Sequence, residues 1–234
     1  MHYVVGDIHN ENKKLRQLLK QISFGADDHI YILGDLFDRG GEDADPVGVY
    51  FTVLELGERC TALRGNHDQW LATYIRNYYS LSEREQERCA PYSYNSFELM
   101  RQRLTPMDMR QLEAFINSLP LHTGLNLEQK EYLFAHAMTC APGSWRKADY
   151  YLMGDWYFDL FVTGGIPEYI SFCGHHNTGG FSGFPGAYCD GEEISIWHNE
   201  ANNVYMMDCG CGFAHGRLAC MCLETGERFY IDSE

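Results

Sequence analysis

Tyr3-Val4-Val5-Gly6-Asp7-Ile8-His9, Ile30-Tyr31-Ile32-Leu33-Gly34-Asp35-Leu36-Phe37-Asp38-Arg39-Gly40 and Thr61-Ala62-Leu63-Arg64-Gly65-Asn66-His67-Asp68 repeat one arrangement. Each is a short run of strand-forming residues that ends at or just before a glycine, followed by carboxylate, imidazole or amide side chains. Between them Leu15, Leu18, Leu19 and Ile22 recur at helical spacing, and Pro46–Leu56 reads as a second helix. Residues 69–78 continue the third motif as a helix. This strand–helix alternation predicts an α/β chain with parallel strands. Its polar motifs should then meet at the strands' carboxyl ends, where open α/β sheets place their ligands.

Composition narrows the function classes. At 234 residues the chain has room for one large domain, and 45% hydrophobic with 14% aromatic residues argues against a disordered protein. A formal net charge of -15 argues against a general binder of nucleic-acid backbone or of anionic membrane, so neither partner is expected. An anionic substrate would need local positive charge from metals or a few arginines. No apolar run approaches the roughly 18–20 residues that span a bilayer. The first strand begins almost at Met1, and the nine cysteines are an odd number without a compact extracellular framework. No signal peptide and a cytoplasmic location with reduced thiols are therefore expected.

Further along, residues 80–120 read as a helical insertion that covers or borders the motifs, the alternative being a plain helical layer. Residues 83–88 favour helix, and Thr105-Pro106-Met107-Asp108 is a helix start, with Thr as cap, Pro first and an acid third. Leu112, Phe115, Ile116 and Leu119 give that helix an apolar face, and Pro120 stops it. Residues 132–135 and Tyr169–Cys173 are two more buried-strand runs, ending at His136 and at Gly174-His175. Beyond residue 180 the pattern turns to hairpins, with strands over 193–197, 204–208, 217–223 and Arg228–Ile231. No repeat or linker divides the chain, so a single domain over 1–234 is expected.

Asp7, His9, Asp35, Asn66, His136 and His175 are six oxygen and nitrogen donors of the kind that hold two first-row cations, manganese first, with iron or zinc as alternatives. Two such ions outweigh the charge of Asp7, Asp35 and a bridging hydroxide, which leaves a positive centre for a phosphate group. Paired metals roughly 3.5–4 Å apart lower the pKa of a shared water toward about 7. His67 is then the expected general acid for the leaving group, oriented by Asp38, and Arg39 and Asn66 are expected to bind the phosphate.

These residues resemble the phosphoprotein phosphatase branch of the calcineurin-like metallophosphoesterases. The family pattern GDxHG, GDxxDRG, GNHE or GNHD and two late histidines reads here as GDIHN, GDLFDRG, GNHD, FAHA and CGHH. The tail from Met207-Asp208-Cys209-Gly210 to Thr225-Gly226 is similar to that of bacterial and phage serine/threonine phosphatases. The resemblance implies a four-layer α/β/β/α sandwich with two mixed sheets and a dimetal site. It assigns Asp7, His9 and bridging Asp35 to one metal, and Asp35, Asn66, His136 and His175 to the other. The implied activity is phosphomonoester hydrolysis, with a phosphoserine or phosphothreonine protein or a small phosphoester as substrate. A dinucleoside polyphosphate hydrolase is the alternative, weighed down by the Gln that such enzymes carry where His9 stands. A binding module that has lost catalysis is the third reading.

The chain departs from the pattern at three places. Asn10 replaces a glycine, although Asn tolerates positive φ. Ala137 follows His136 where glycine is common. The second phosphate-binding arginine is missing: Leu152-Met153-Gly154-Asp155-Trp156 contains none, and Arg146 is the one arginine between His136 and His175. The GH dipeptide favours His175 over His176 as ligand, and His2, His29, His122, His198 and His215 read as ordinary surface or core residues. Cys209-x-Cys211 and Cys220-x-Cys222 read as small apolar residues on strand faces, a four-thiolate zinc site being the alternative. Glu42-Asp43-Ala44-Asp45 reads as a solvated loop, or as an acidic border to a groove for basic peptides.

Overall fold

The computed structural model describes residues 1–180 and 194–232. In the first sheet β1 (His2–Val5), β2 (His29–Ile32) and β3 (Cys60–Ala62) run parallel. The second contains β4 (His122–Leu127), β5 (Lys130–Ala135), β6 (Tyr169–Cys173), β7 (Trp197–His198) and β8 (Val204–Met206) in the order β4-β5-β6-β8-β7. There β5, β6 and β8 are parallel, and β4 and β7 are antiparallel edges. The last hairpin, β9 (Leu218–Cys222) and β10 (Arg228–Ile231), returns to the first sheet, where β9 pairs antiparallel with β1. Both sheets are therefore mixed and each holds three adjacent parallel strands, central in the second sheet and running out to the β3 edge in the first.

Alternation along the strands builds the layers. Val5, Ile30, Ile32, Leu218, Cys220 and Cys222 face one apolar cluster, while Val4, Tyr31, Leu33, Ala219 and Met221 face another. That is the period of two that puts successive side chains on opposite faces. The first cluster lies under helices α1 (Asn12–Gln21), α2 (Pro46–Leu56) and α3 (Asn66–Ser80), through Leu15, Leu18, Val49, Val53, Leu71 and Ile75. The second is the seam between the sheets, where Tyr132, Phe134 and Phe172 meet Tyr31 and Leu63. On the far side of the second sheet, Phe161 and Val162 pack on Cys173, Trp197, Val204 and Met206. The chain is a four-layer α/β/β/α sandwich.

Between α3 and β4 lie α4 (Glu83–Gln86), α5 (Ser96–Arg101) and α6 (Pro106–Ser118). Thr105 and Asp108 form the expected capping box around Pro106. Helix α4 is shorter than the 83–88 expected, and α5 was not foreseen. Neither was β4, an edge strand whose residues alternate only between exposed and half-buried, with Leu125 and Leu127 as its only large apolar side chains. Helices α7 (Ala148–Met153) and α8 (Phe158–Gly164) fill the connection from β5 to β6. The strand expected over 193–197 begins at Trp197, and Glu193 lies outside the described residues.

The layering also decides the cysteines. Cys211, Cys220 and Cys222 lie in the helix-covered cluster and Cys209 lies in the seam between sheets, so the two CxC pairs do not converge. Among the described residues no group able to hold a metal includes a cysteine. No helix among them is long and apolar enough to cross a membrane.

Candidate active site

Each of the six parallel strands delivers a polar side chain just past its carboxyl end. These are Asp7 after β1, Asp35 after β2, Asn66 after β3, His136 after β5, His175 after β6 and Asp208 after β8. All except His175 are buried. The turns that carry them are tight: His9, Asn10, Asp35, Asp38, Arg39 and His175 all adopt positive φ, between 47° and 69°. Non-glycine residues hold that conformation only where the surroundings over-determine it, and such residues cluster at functional sites. Here the first two loops are laced together, since His9 N donates to Asp35 O and Asn10 N to Leu36 O. The Asp68 carboxylate ties in the third, accepting from Leu36 N at 2.9 Å and from Gly65 N at 2.8 Å. Gly65 must be glycine for another reason: a Cβ there would sit 2.1 Å from Asp35 Oδ1.

Two groups of side chains bring their donor atoms within 4.8 Å of one another, Asp7–His9–Asp35 and Asp35–His136–His175, with Asp35 shared. Asn66 Oδ1 joins the second, 2.9 Å from both His136 Nε2 and His175 Nδ1. Main-chain carbonyls fix the ring orientations. His9 Nδ1 donates to Phe37 O and His136 Nδ1 to Leu33 O, which turns each Nε2 inward toward Asp35. His176 instead packs on Phe158 with ring centroids 4.0 Å apart. His175 and not its neighbour therefore belongs to the cluster.

The electrostatics of this cluster suit cations. Burial pushes the Asp7 carboxyl well above its usual range, with the Asp208 charge adding to the effect. Asp208 is itself raised to about 6, chiefly by burial. Burial opposes charge on His136, yet Asp35 and Asp7 outweigh it and raise the imidazole to about 10. Protons are thus retained where buried carboxylates converge, which relieves the cost of leaving their charge unpaired. Two divalent ions sharing Asp35 would compensate the same charge, and the oxygen and nitrogen donors fit manganese, iron or zinc.

His67 lies beside the first group, and its Nδ1 donates to Asp38 Oδ2 at 3.1 Å. The same oxygen accepts from the Tyr92 hydroxyl at 2.6 Å. A network then holds the Asp38–Arg39 turn: Asp38 N donates to Ser96 Oγ, Ser96 Oγ to Asn10 Oδ1, and Asn10 Nδ2 and Asn95 Nδ2 both to Arg39 O. Asn10 thus does here what a glycine could not. The rings of Trp70 and Tyr94 stand edge-on to His67, at 4.9 and 4.5 Å between centroids, and are partly exposed. Sequence reading missed Tyr92, Tyr94, Asn95, Ser96, Trp70 and Asp208. No spacing rule links the first four to motifs tens of residues upstream, and among hairpin strands the aspartate after β8 reads as a turn residue.

Arg39 donates to His9 Nε2 at 3.0 Å and lies over the Phe213 ring at 4.8 Å. It thus occupies the lone pair that a metal at His9 would take, and the two contacts exclude each other at that atom. Arg146 is not brought to the cluster; it is exposed and lies over Tyr150.

Replacing Tyr92 with Phe removes one hydrogen bond to a charged carboxylate, worth about 1.5–3 kcal/mol. Turnover of esters with poor leaving groups is expected to fall by about tenfold or more, and that of p-nitrophenyl phosphate to change little. A series of aryl phosphates of graded leaving-group pKa measures this. Parallel plots for wild type and Tyr92→Phe would assign the tyrosine to packing alone.

Residues 3–194 match the sequence profile of the calcineurin-like phosphoesterases. The chain belongs to that family. Members of the family are metal-dependent phosphoric ester hydrolases. Among curated relatives, a symmetrical bis(5′-nucleosyl)-tetraphosphatase of Vibrio cholerae is 34% identical over 86 residues, covering 36% of this chain and 31% of the relative. One of Tolumonas auensis is 31% identical over 143 residues, 59% of this chain and 48% of the relative. The matches thus span less than half of these calcineurin-like relatives. Among solved structures, a candidate diadenosine tetraphosphatase aligns over 100% of this chain and 93% of its own, with a TM-score of 0.65 and 18% identity. A Saccharomyces cerevisiae serine/threonine phosphatase aligns over 100% and 79%, with a TM-score of 0.53 and 13% identity. At such identities the structures bear on the fold alone.

Proposed function

We propose that the chain is a dimetal phosphohydrolase that attacks an internal phosphoryl group, with bis(5′-nucleosyl) polyphosphates as its substrate class. The observation that carries this reading is the single guanidinium, Arg39, beside the donor cluster. A terminal phosphate has three non-bridging oxygens to satisfy, whereas an internal one has two, so a second arginine is dispensable for the latter. The stretch 181–193 contains neither Arg nor Lys, so it supplies no replacement. The names of the curated relatives point the same way.

Asp7, His9 and Asp35 would hold one cation, and Asp35, Asn66, His136 and His175 the other. When bound, the pair supplies positive charge against phosphoryl oxygens and lowers the pKa of water. Asp68 keeps the three loops in register, and Arg39 turns from His9 to the substrate. His67, with Nδ1 committed to Asp38, offers Nε2 to the leaving oxygen and gives it a proton. Trp70 and Tyr94 present aromatic faces to the departing group. The nine cysteines, of which the eight described are free thiols, fit a reducing cytoplasm.

A phosphoserine or phosphothreonine phosphatase is the second reading. It is favoured by the Tyr92–Asp38–His67 chain, because an alkoxide needs a proton more than a departing nucleotide does. A panel of diadenosine tetraphosphate, phosphoserine peptide and p-nitrophenyl phosphate, assayed with Mn, Zn or Fe and after chelation, separates the two. Highest kcat/KM on the dinucleotide is expected, with all turnover lost on chelation. A preference for the peptide would transfer the assignment to the second reading, and no turnover of any substrate would defeat both.

A further inference from the structure

Resting on the dinucleotide reading, we infer that Trp70 and Tyr94 are the stacking platform for the base of the departing nucleotide. Both rings touch the residue that gives the leaving oxygen its proton. Their centroids lie 4.9 and 4.5 Å from that of His67, at interplanar angles of 62° and 64°. On its inner side His67 meets the His9 ring at 5.2 Å, Asp35, which accepts from His67 N, and Asp38. Those three are at most 2% exposed, whereas Trp70 is 39% and Tyr94 36% exposed. From the donor cluster outward, the order is therefore metal donors, then His67, then the two rings. A group that leaves with the His67 proton has them as its exposed neighbours.

Neither ring is part of the apolar clusters that hold the layers together, so core packing does not account for them. Both are nevertheless fixed. Trp70 stands three positions after His67 on α3, the helical spacing that makes side chains neighbours. Tyr94 is pinned from both flanks, since the Tyr92 hydroxyl donates to Asp38 and Asn95 Nδ2 to the Arg39 carbonyl. The loop that carries it is thus tied to the same turn that orients the acid and carries the guanidinium. The two rings end within 3° of parallel, with centroids 5.9 Å apart. A flat group laid on one ring therefore lies parallel to the other as well, a geometry that rewards a planar base. A serine or glycerol leaving group has no such surface to offer.

Calorimetry on the manganese-loaded protein compares ADP with methyl diphosphate, which offers the same phosphates and no base. Base–aromatic stacking predicts that wild type binds ADP roughly five- to hundredfold tighter. Trp70→Ala and Tyr94→Ala should lose most of that advantage, and Trp70→Phe should keep part of it. The second readout is the ratio of kcat/KM for diadenosine tetraphosphate to that for glycerol 2-phosphate, with folding checked by thermal melting. Loss of stacking lowers this ratio in both alanine variants. A role confined to holding His67 in place would raise it, because the glycerol alkoxide needs the proton most. A raised ratio with the ADP advantage intact therefore overturns the inference. If wild type hydrolyses the dinucleotide and neither readout moves, the platform is overturned while the activity stands. If wild type ignores the dinucleotide, but ADP outbinds methyl diphosphate and the alanine variants erase the difference, the base site stands and the activity falls.

Discussion

Asp35→Asn is expected to remove both metals and lower turnover by roughly a thousandfold or more. Asp35 is the one side chain common to the two donor groups, so its loss breaks two sites where Asp7→Asn would break one. Burial works against ionising Asp35, but the charge of His136 and its hydrogen bond hold the carboxyl well below the usual range. It is therefore the carboxylate in the cluster that stays charged when Asp7 does not. An amide keeps the shape and hydrogen-bonding reach but cannot bridge two cations. The effect on folding is separable. A ligand at a hundred times its Kd stabilises the folded state by about 2.7 kcal/mol, so wild type should melt higher with manganese than with chelator. The variant should melt at the same temperature in both. Metal content by atomic spectrometry then reads close to zero per chain. Two metals retained and turnover within tenfold of wild type would remove Asp35 from its bridging role.

The legible part of this site is the part written in short-range pattern. Asp7, Asp35 and Asn66 follow apolar runs directly, so strand ends and donors are read together, and parallel order then predicts their convergence. His136 and His175 obey the same rule in the second sheet, where long connections containing α7 and α8 hide the β–α–β order. Asp208 completes the series but sits among hairpin strands, where an aspartate reads as a turn residue. Tyr92 was beyond reach for a different reason. Its hydroxyl meets Asp38 across 54 positions of sequence, and only the packing of α5 and α6 against α2 and α3 sets that distance. Asn10 shows the reverse error: read as a tolerated substitute for glycine, it is a hub whose side chain bonds Ser96, Asn95 and the Arg39 carbonyl. Conformational tolerance is visible from residue type, whereas a long-range partner is not.

His67→Ala is expected to act according to the leaving group. General acid catalysis contributes about 10²- to 10⁴-fold, and its value rises with the basicity of the departing oxygen. Phosphoserine turnover, if present, should fall across that range, because serine leaves as a strong base. Diadenosine tetraphosphate should lose roughly tenfold and p-nitrophenyl phosphate less, since their leaving groups part readily without a proton. The substitution also opens a void between Trp70, Tyr94 and His9 and strips Asp38 of its imidazole partner. Asp38 Oδ1 is already buried without a hydrogen bond, so a cost of about 3 kcal/mol or more in stability is expected. Two measurements keep chemistry apart from that cost. Manganese should still raise the melting temperature, because Asn66 and the other donors are untouched. Added imidazole should enter the void and restore part of the loss for poor leaving groups only. Uniform losses across all substrates, or no rescue, would mean that His67 is a packing residue and that the proton reaches the leaving oxygen from elsewhere.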